Sequence, residues 1–294
     1  MHCYFNTNKV ITAAVLAVFS TTLFFACTKD NKQTQQDVDD NAVIRLAAQQ
    51  AVASETYDDV FDVTLALNAN NQGSLGRRSS EFQDVISQKI WYCGSASVSI
   101  VPLDLETWPK TVTVDFDAGC TDSSRVRSGK MKIVLSAPLL STNSTATVTF
   151  ENYKVNNVAV QGEVLITNLS ANNVFKYSTK VTEGKLTYGD TLWVKYNGIK
   201  TVEQTAGSAT PLNLLDDVYA VSGNATVENS DGNGASVNIT SPLVRKLNCG
   251  YVSQGTMDIV VYGNAASIDY GNGDCDNKAM MTYKNKQIEI TLPN

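Results

Sequence analysis

From Phe82 onward, apolar and polar residues alternate with period two. Turn signals interrupt the alternation about every 8–12 residues, which is the pattern of half-buried strands joined by hairpins. Val148 and Phe150 alternate, as do Val164 and Ile166, Val218 to Val227, and Val237 and Ile239. Asn156-Asn157, Glu183-Gly184, Gly189-Asp190, Asn197-Gly198 and Asp231-Gly232 read as hairpin turns, because Gly and Asn tolerate the left-handed backbone that a tight turn needs. Roughly 12 to 15 strands follow from this spacing. Only Asn41 to about Leu67 has helical spacing, through Val43, Ala47, Ala51 and, after a break at Ser54, Val60, Phe61 and Leu65. Asp39, Asp40 or Asn41 supplies an N-cap, and Asp58-Asp59 a second helix start. The expected fold is all-β: a curved antiparallel β-meander or sandwich built from related repeats, preceded by a short N-terminal helical segment. The helical segment spans 41–68 and the β-rich domain 82–294.

Two repetitions sharpen this picture. Residues 93–135 and 249–292 each carry a Cys, an alternating run, an acidic–aromatic pair, a Gly and a second Cys. The pairs are Asp115-Phe116 before Gly119 and Cys120, and Asp269-Tyr270 before Gly273 and Cys275. A turn signal follows in each copy (Gly129-Lys130, Asn285-Lys286). Each then ends in a strand, Met131–Leu135 or Ile288–Leu292. Four cysteines allow three pairings, and the repeat selects Cys93–Cys120 and Cys249–Cys275. A four-cysteine metal site is disfavoured because no C-x-x-C spacing occurs. The second repetition matches Val160-x-Gly162-x-Val164-x-Ile166-x-Asn168 with Val221-x-Gly223-x-Ala225-x-Val227-x-Asn229, with a looser copy at Val252, Gly255, Met257 and Ile259. Glycine inside a strand marks a bend or a close backbone approach.

The N-terminus adds a compartment. One fixed charge, Lys9, precedes an uncharged run, Val10 to Ala26, which is marginal for a membrane span and fits a cleaved signal peptide over 1–26. Phe24-Phe25-Ala26-Cys27 resembles a relaxed lipoprotein box, with Phe24 where Leu is usual. Cys27 is then the lipidation site, and residues 27–40 a flexible tether. Lys29-Asp30 resembles the surface-export signal of Bacteroidota lipoproteins. Cys3 leaves with the signal, so the other four of the six cysteines pair off, as an oxidising compartment allows.

Composition mainly excludes. Removing residues 1–26 takes away Lys9 and no acid, leaving 22 basic against 29 acidic residues, so nucleic acid is not an expected partner. The single His, His2, lies in the signal, which removes Ser-His-Asp and Cys-His catalysis and most catalytic zinc sites. No phosphate-binding or dinucleotide fingerprint occurs, and no cofactor is expected. A carboxylate-only glycoside hydrolase needs just two acids, with Asp104, Glu106, Asp115, Asp117 and Asp269 as candidates. The plainer expectation for Asp115 and Asp269 is that they shape the Gly-containing turns after them. Asn229-x-Asp231-x-Asn233-Gly234 imitates a calcium loop, but Thr240 stands where a bidentate Glu is required, so no metal is expected. Trp91, Trp108 and Trp193, with Tyr92, Tyr188 and Tyr196, are candidates for a sugar-stacking platform or for strand packing.

Val114-Asp115-Phe116, Gly119-Cys120-Thr121-Asp122, Arg127-Ser128-Gly129-Lys130, Phe150-Glu151-Asn152-Tyr153 and Asp269-Tyr270-Gly271-Asn272-Gly273 resemble a Bacteroidota envelope lipoprotein family of unknown function. Pro242-Leu243-Val244-Arg245 and Asp276-Asn277-Lys278-Ala279 do so too, and the resemblance covers most of residues 110–292. It implies an envelope lipoprotein with a β-rich body and carries no activity. The expected function is that of a membrane-anchored lipoprotein, facing the cell surface or the periplasm, with a non-catalytic binding, adhesion or structural role in the cell envelope and a glycan, lipid or protein ligand. The first rival is a lipid- or glycolipid-handling protein with an apolar trough. The second is the carboxylate-only hydrolase.

Overall fold

The computed structural model describes residues 33–70, 96–104, 106–117, 119–121, 125–172, 174–210, 214–261 and 263–292. Among them the chain forms one long α-helix, α1 (Gln33–Asn70), and fourteen strands. The strands are β1 (Ser97–Val101), β2 (Lys110–Asp115), β3 (Cys120–Thr121), β4 (Val126–Leu135), β5 (Thr145–Val155), β6 (Val158–Asn168), β7 (Lys176–Tyr188), β8 (Leu192–Ala206), β9 (Val218–Asn229), β10 (Gly234–Lys246), β11 (Val252–Val261), β12 (Asn264–Asn272), β13 (Lys278–Tyr283) and β14 (Lys286–Thr291).

All fourteen strands belong to one antiparallel sheet. From β4 onward each strand pairs with the next in sequence; β2 lies between β1 and β4, and β3 is a short side branch on β4. The order runs from β1 at one edge to β14 at the other without closing, so the sheet is open and not a barrel. Alternation puts one face inward: Met131, Ile133 and Leu135 on β4 are buried, and so are Met257, Ile259 and Val261 on β11.

Three expected hairpins fall inside strands instead. Gly129-Lys130 lies within β4, Glu183-Gly184 within β7, and Asn197-Gly198 within β8. Two of them are β-bulges: the register slips between Ser128 and Lys130 and between Val181 and Gly184. Glu183 takes a positive φ of 52°, and its N–H donates to Asn197 Oδ1 at 2.7 Å. A bulge and a hairpin ask for the same left-handed residues, so the sequence signal does not tell them apart. Strands of 13 and 15 residues resulted where shorter ones were expected.

The glycine repetition has a structural meaning. Gly162, Gly223 and Gly255 each sit at a register shift with φ of 108°, 146° and 109°. A Cβ at Gly162 would stand 2.7 Å from Gly184 Cα, and one at Gly223 would run into the Ile199 carbonyl. These bulges bend the long strands around the inward face. The repeated asparagines also match in role. Asn168 and Asn229 are both buried; Oδ1 accepts from the N–H two residues on (Ser170, Asp231), and Nδ2 reaches inward to Leu139 O or Gln49 Oε1.

The larger duplicated unit keeps its turn chemistry and differs in its last strand. Asp115 Oδ1 accepts the Asp117 N–H and Asp269 Oδ1 the Gly271 N–H, both at 2.9 Å. Met131–Leu135 pair directly with β2, whereas Ile288 and Ile290 pair with β13, one strand beyond β12. The disulfide Cys249–Cys275 is formed. Cys120 is also disulfide-bonded. Its partner lies outside the described residues, as do Cys93 and Cys27.

Helix α1 starts at Gln33, inside the stretch read as tether, and runs through Ser54 without a break. Its buried stripe is Val43, Leu46, Gln49/Gln50, Ala53, Tyr57, Asp59/Val60/Phe61 and Val63/Thr64, recurring at three- and four-residue steps. Ala51 is exposed and Ala47 half-buried, so the expected apolar face was rotated by about one position. Burying the apolar members of this stripe stabilises docking by on the order of 10 kcal/mol, an upper estimate. Among the described residues no helix is long and apolar enough to cross a membrane.

Candidate functional site

Helix α1 lies across the inward face, and its polar residues set the position. Tyr57 stacks on Tyr196 (centroids 5.5 Å apart), and its hydroxyl donates to the Gln161 carbonyl at 2.7 Å. Burial pushes the Tyr57 phenol well above its ordinary pKa. Phe61 packs edge-on against Tyr177. Gln49 accepts from Asn229, and Arg45 pairs with Asp231 at 3.1 Å. The segment that imitates a calcium loop is therefore a docking point for the helix. Among the described residues no cluster of three His, Cys, Asp or Glu side chains has metal-binding proximity.

Four acids, Glu55, Asp58, Asp59 and Asp62, fall at i, i+3, i+4 and i+7 on one face of α1. Asp59, buried, is held in a fork by buried Arg127: Nε donates to Oδ2 at 3.0 Å and Nη2 to Oδ1 at 2.6 Å. Arg125 adds a bond from Nη1 to Asp59 and one from Nη2 to Glu55 at 2.7 Å. Lys200 donates to both Asp58 oxygens at 2.7 Å and to Ser54 Oγ at 2.6 Å. Burial alone would lower the Lys200 pKa, but the Asp58 carboxylate outweighs it and holds the ammonium above its usual value. In sequence Asp58-Asp59 look like a helix start. Nothing short of the strand register reveals that Arg125, Arg127 and Lys200 face them.

Beside this seam a cavity of about 350 Å³ opens between α1 and strands β8 to β12. Its two walls differ chemically. The α1 wall is polar, with Gln50, Ser54, Glu55 and Asp58 following one another along the helix. The sheet wall is mainly apolar, with Val221, Ile239, Leu243, Val252, Met257 and Tyr270; Lys200, Asn224 and Arg245 are its polar members. Tyr270 donates to Met257 Sδ at 3.3 Å, and burial pushes its pKa up to about 12. Arg245 stands at the cavity exposed, with no hydrogen-bond or ion-pair partner among the described residues. Gly250 and Tyr251, immediately after the disulfide-bonded Cys249, also line it. Sequence reasoning missed this site. In sequence Pro242-Leu243-Val244-Arg245 carries only a family resemblance, and the alternation does not say which apolar positions the helix leaves uncovered.

The acids considered for hydrolysis fall on three separate turns, Asp104 with Glu106, Asp115 with Asp117 beside Lys130, and Asp269. Asp104 accepts the Glu106 and Thr107 N–H groups, which lower its pKa. Asp115 accepts the Asp117 N–H and pairs with Lys130 at 3.0 Å, which lowers its pKa too. Asp269 bonds its own turn on β12, ten positions from β2 in strand numbering. The aromatics are also dispersed. Trp108 packs half-buried against the core, and Tyr188 and Tyr196 are pushed up in pKa by burial. Trp193 is flanked by Lys195 at 4.8 Å and Lys185 at 5.7 Å on the opposite face of the sheet from the cavity. Trp91 and Tyr92 lie outside the described residues.

Fold and site together define a single open β-meander with a docked helix and a two-sided cavity. No protein-family model, curated protein or solved structure matches this chain.

Proposed function

We propose that this chain is an envelope lipoprotein, anchored to the outer membrane through Cys27 and facing the cell surface, that holds a small ligand without transforming it. The binding place is the cavity between α1 and β8–β12. The observation that carries this reading is the cavity itself: about 350 Å³, within the size range of small-molecule sites, with an apolar wall and a few convergent polar groups. The non-catalytic part is supported by the acids. Asp104, Asp115 and Asp269 hold turns, and Asp58 and Asp59 hold cations, so each is already engaged. The anchor is supported by the N-terminal sequence, in which a cleavable apolar run ends at Cys27.

Native mass spectrometry of the protein extracted from its own membrane tests both parts. The intact mass should carry acyl chains on Cys27. A non-covalent ligand should remain in a one-to-one complex and be absent from Ile239→Trp, in which the indole fills the cavity. An unlipidated mass contradicts the anchor. A bare protein, or a ligand retained equally by Ile239→Trp, contradicts the site.

A further inference from the structure

The cavity's two walls restrict what it can hold. Gln50 to Asp58 spans eight helical residues, about 12 Å. The apolar wall crosses β9 to β12, three strand spacings, about 14 Å. A ligand lying in this slot meets mainly aliphatic side chains on the β9–β12 side, and carboxylates, an amide and a hydroxyl on the α1 side. A flexible acyl chain fits the first wall and fails at the second, because its methylenes would strip water from Glu55 and Asp58 without replacing the hydrogen bonds. A saccharide fails at the other side. Its hydroxyls would be buried unpaired against Val221, Ile239, Leu243 and Met257.

Arg245 adds the third constraint. It is a cation beside the cavity without a carboxylate partner among the described residues, and it lies near enough to Lys200 for the two charges to repel. Lys200 is already held by Asp58. An anionic group at this end would satisfy Arg245 and relieve that repulsion.

Resting on the binding role proposed above, we propose that the cavity takes a facially amphipathic carboxylate: a rigid polycyclic skeleton with one bare hydrocarbon face on the β9–β12 wall, hydroxyls on the other face bonded to the α1 wall, and its carboxylate on Arg245. A volume of about 350 Å³ is that of a site for one small molecule.

Calorimetric titration of the full acylated chain in lipid nanodiscs tests this, with empty nanodiscs measuring partition of the probe into lipid. The probes are cholate, which carries its hydroxyls on one face, and laurate, an acyl carboxylate without them. Cholate should bind saturably, one per chain, and at least tenfold more tightly than laurate. Arg245→Gln should weaken cholate tenfold or more, since a hydrogen bond to a charged group is at stake. Arg245 is exposed, so the substitution leaves the fold intact; an unchanged melting curve checks that, and Ile239→Trp serves as a second, cavity-filling variant. Laurate binding as tightly as cholate overturns the inference, as does cholate binding that Arg245→Gln leaves unchanged, or no saturable cholate binding. Where mass spectrometry shows a retained ligand and cholate does not bind, this inference falls and the binding role stands. Where nothing is retained and nothing binds, both fall.

Discussion

Asp59→Ala should lower the free energy of unfolding by about 3–5 kcal/mol, a loss on the scale of the whole stability of many domains. The reason is what the substitution leaves behind. Arg127 is 3% exposed, and Asp59 provides two charge-assisted bonds to it. Without that carboxylate a guanidinium remains in the interior with its main counter-charge gone. Arg125 loses a partner at the same time and keeps Glu55. Asp59→Asn retains the shape and a hydrogen-bonding oxygen and should fall between wild type and Asp59→Ala. Replacing both partners, Asp59→Leu with Arg127→Met, should recover much of the loss, because the burial cost of both charges disappears together. Urea denaturation of the three variants measures this. A cost for Asp59→Ala below about 1 kcal/mol would mean an exposed pair, and hence a helix not seated on the sheet.

Removing the bond between Cys249 and Cys275, as a double Ser variant, should cost about 3–4 kcal/mol, since a cross-link closing a loop of this length restricts the unfolded chain strongly. The sequence separation is 26. The bond joins the connection before β11 to the one after β12, at the end of the sheet where Lys246 Nζ also donates to the Gly273 carbonyl at 2.6 Å. Gly250 and Tyr251, next to Cys249, line the cavity. Loss of the bond should therefore loosen the proposed site as well as lower stability. Thermal denaturation with and without reductant measures the first effect; a melting temperature indifferent to reductant contradicts the structural role.

The β-architecture was largely legible in the sequence, because a one-sided sheet writes its burial directly as alternation. The Asn156-Asn157, Gly189-Asp190 and Asp231-Gly232 turns join β5 to β6, β7 to β8 and β9 to β10. The bulge glycines were legible as bends, though not which of them bend a strand and which end one; Glu183-Gly184, inside β7, and Gly189-Asp190, which ends it, show that both uses draw on the same residues. The Cys249–Cys275 pairing was legible through the repeat. The helix was legible only in part. Its stripe includes Gln50 and Thr64, polar residues that tertiary contacts bury, so hydropathy alone rotated the face toward Ala47 and Ala51.

The site was hardly legible. A cavity is what remains when a helix covers part of a sheet, and no local pattern encodes the uncovered part. The ion pairs between Asp58 and Lys200 and between Asp59 and Arg127 join residues separated by 142 and 68 positions. Buried Lys110 is another example. It donates to the Pro102 carbonyl at 3.0 Å and to that of Asp104, and lies over Trp108. Its position in phase with Val112 and Val114 marks it as inward-facing, but its partners lie in an irregular segment before β2.

Hydrogen–deuterium exchange, comparing protein as isolated from its native source with the same protein after denaturing extraction and refolding to strip the proposed ligand, tests the location of the proposed site most directly. The slot between the helix and β9–β12 predicts slower exchange with ligand in peptides covering 50–62, 237–245 and 250–257, and no change around Trp193 on the opposite face. Slowing confined to the Trp193 face, or no difference at the slot, would contradict the account.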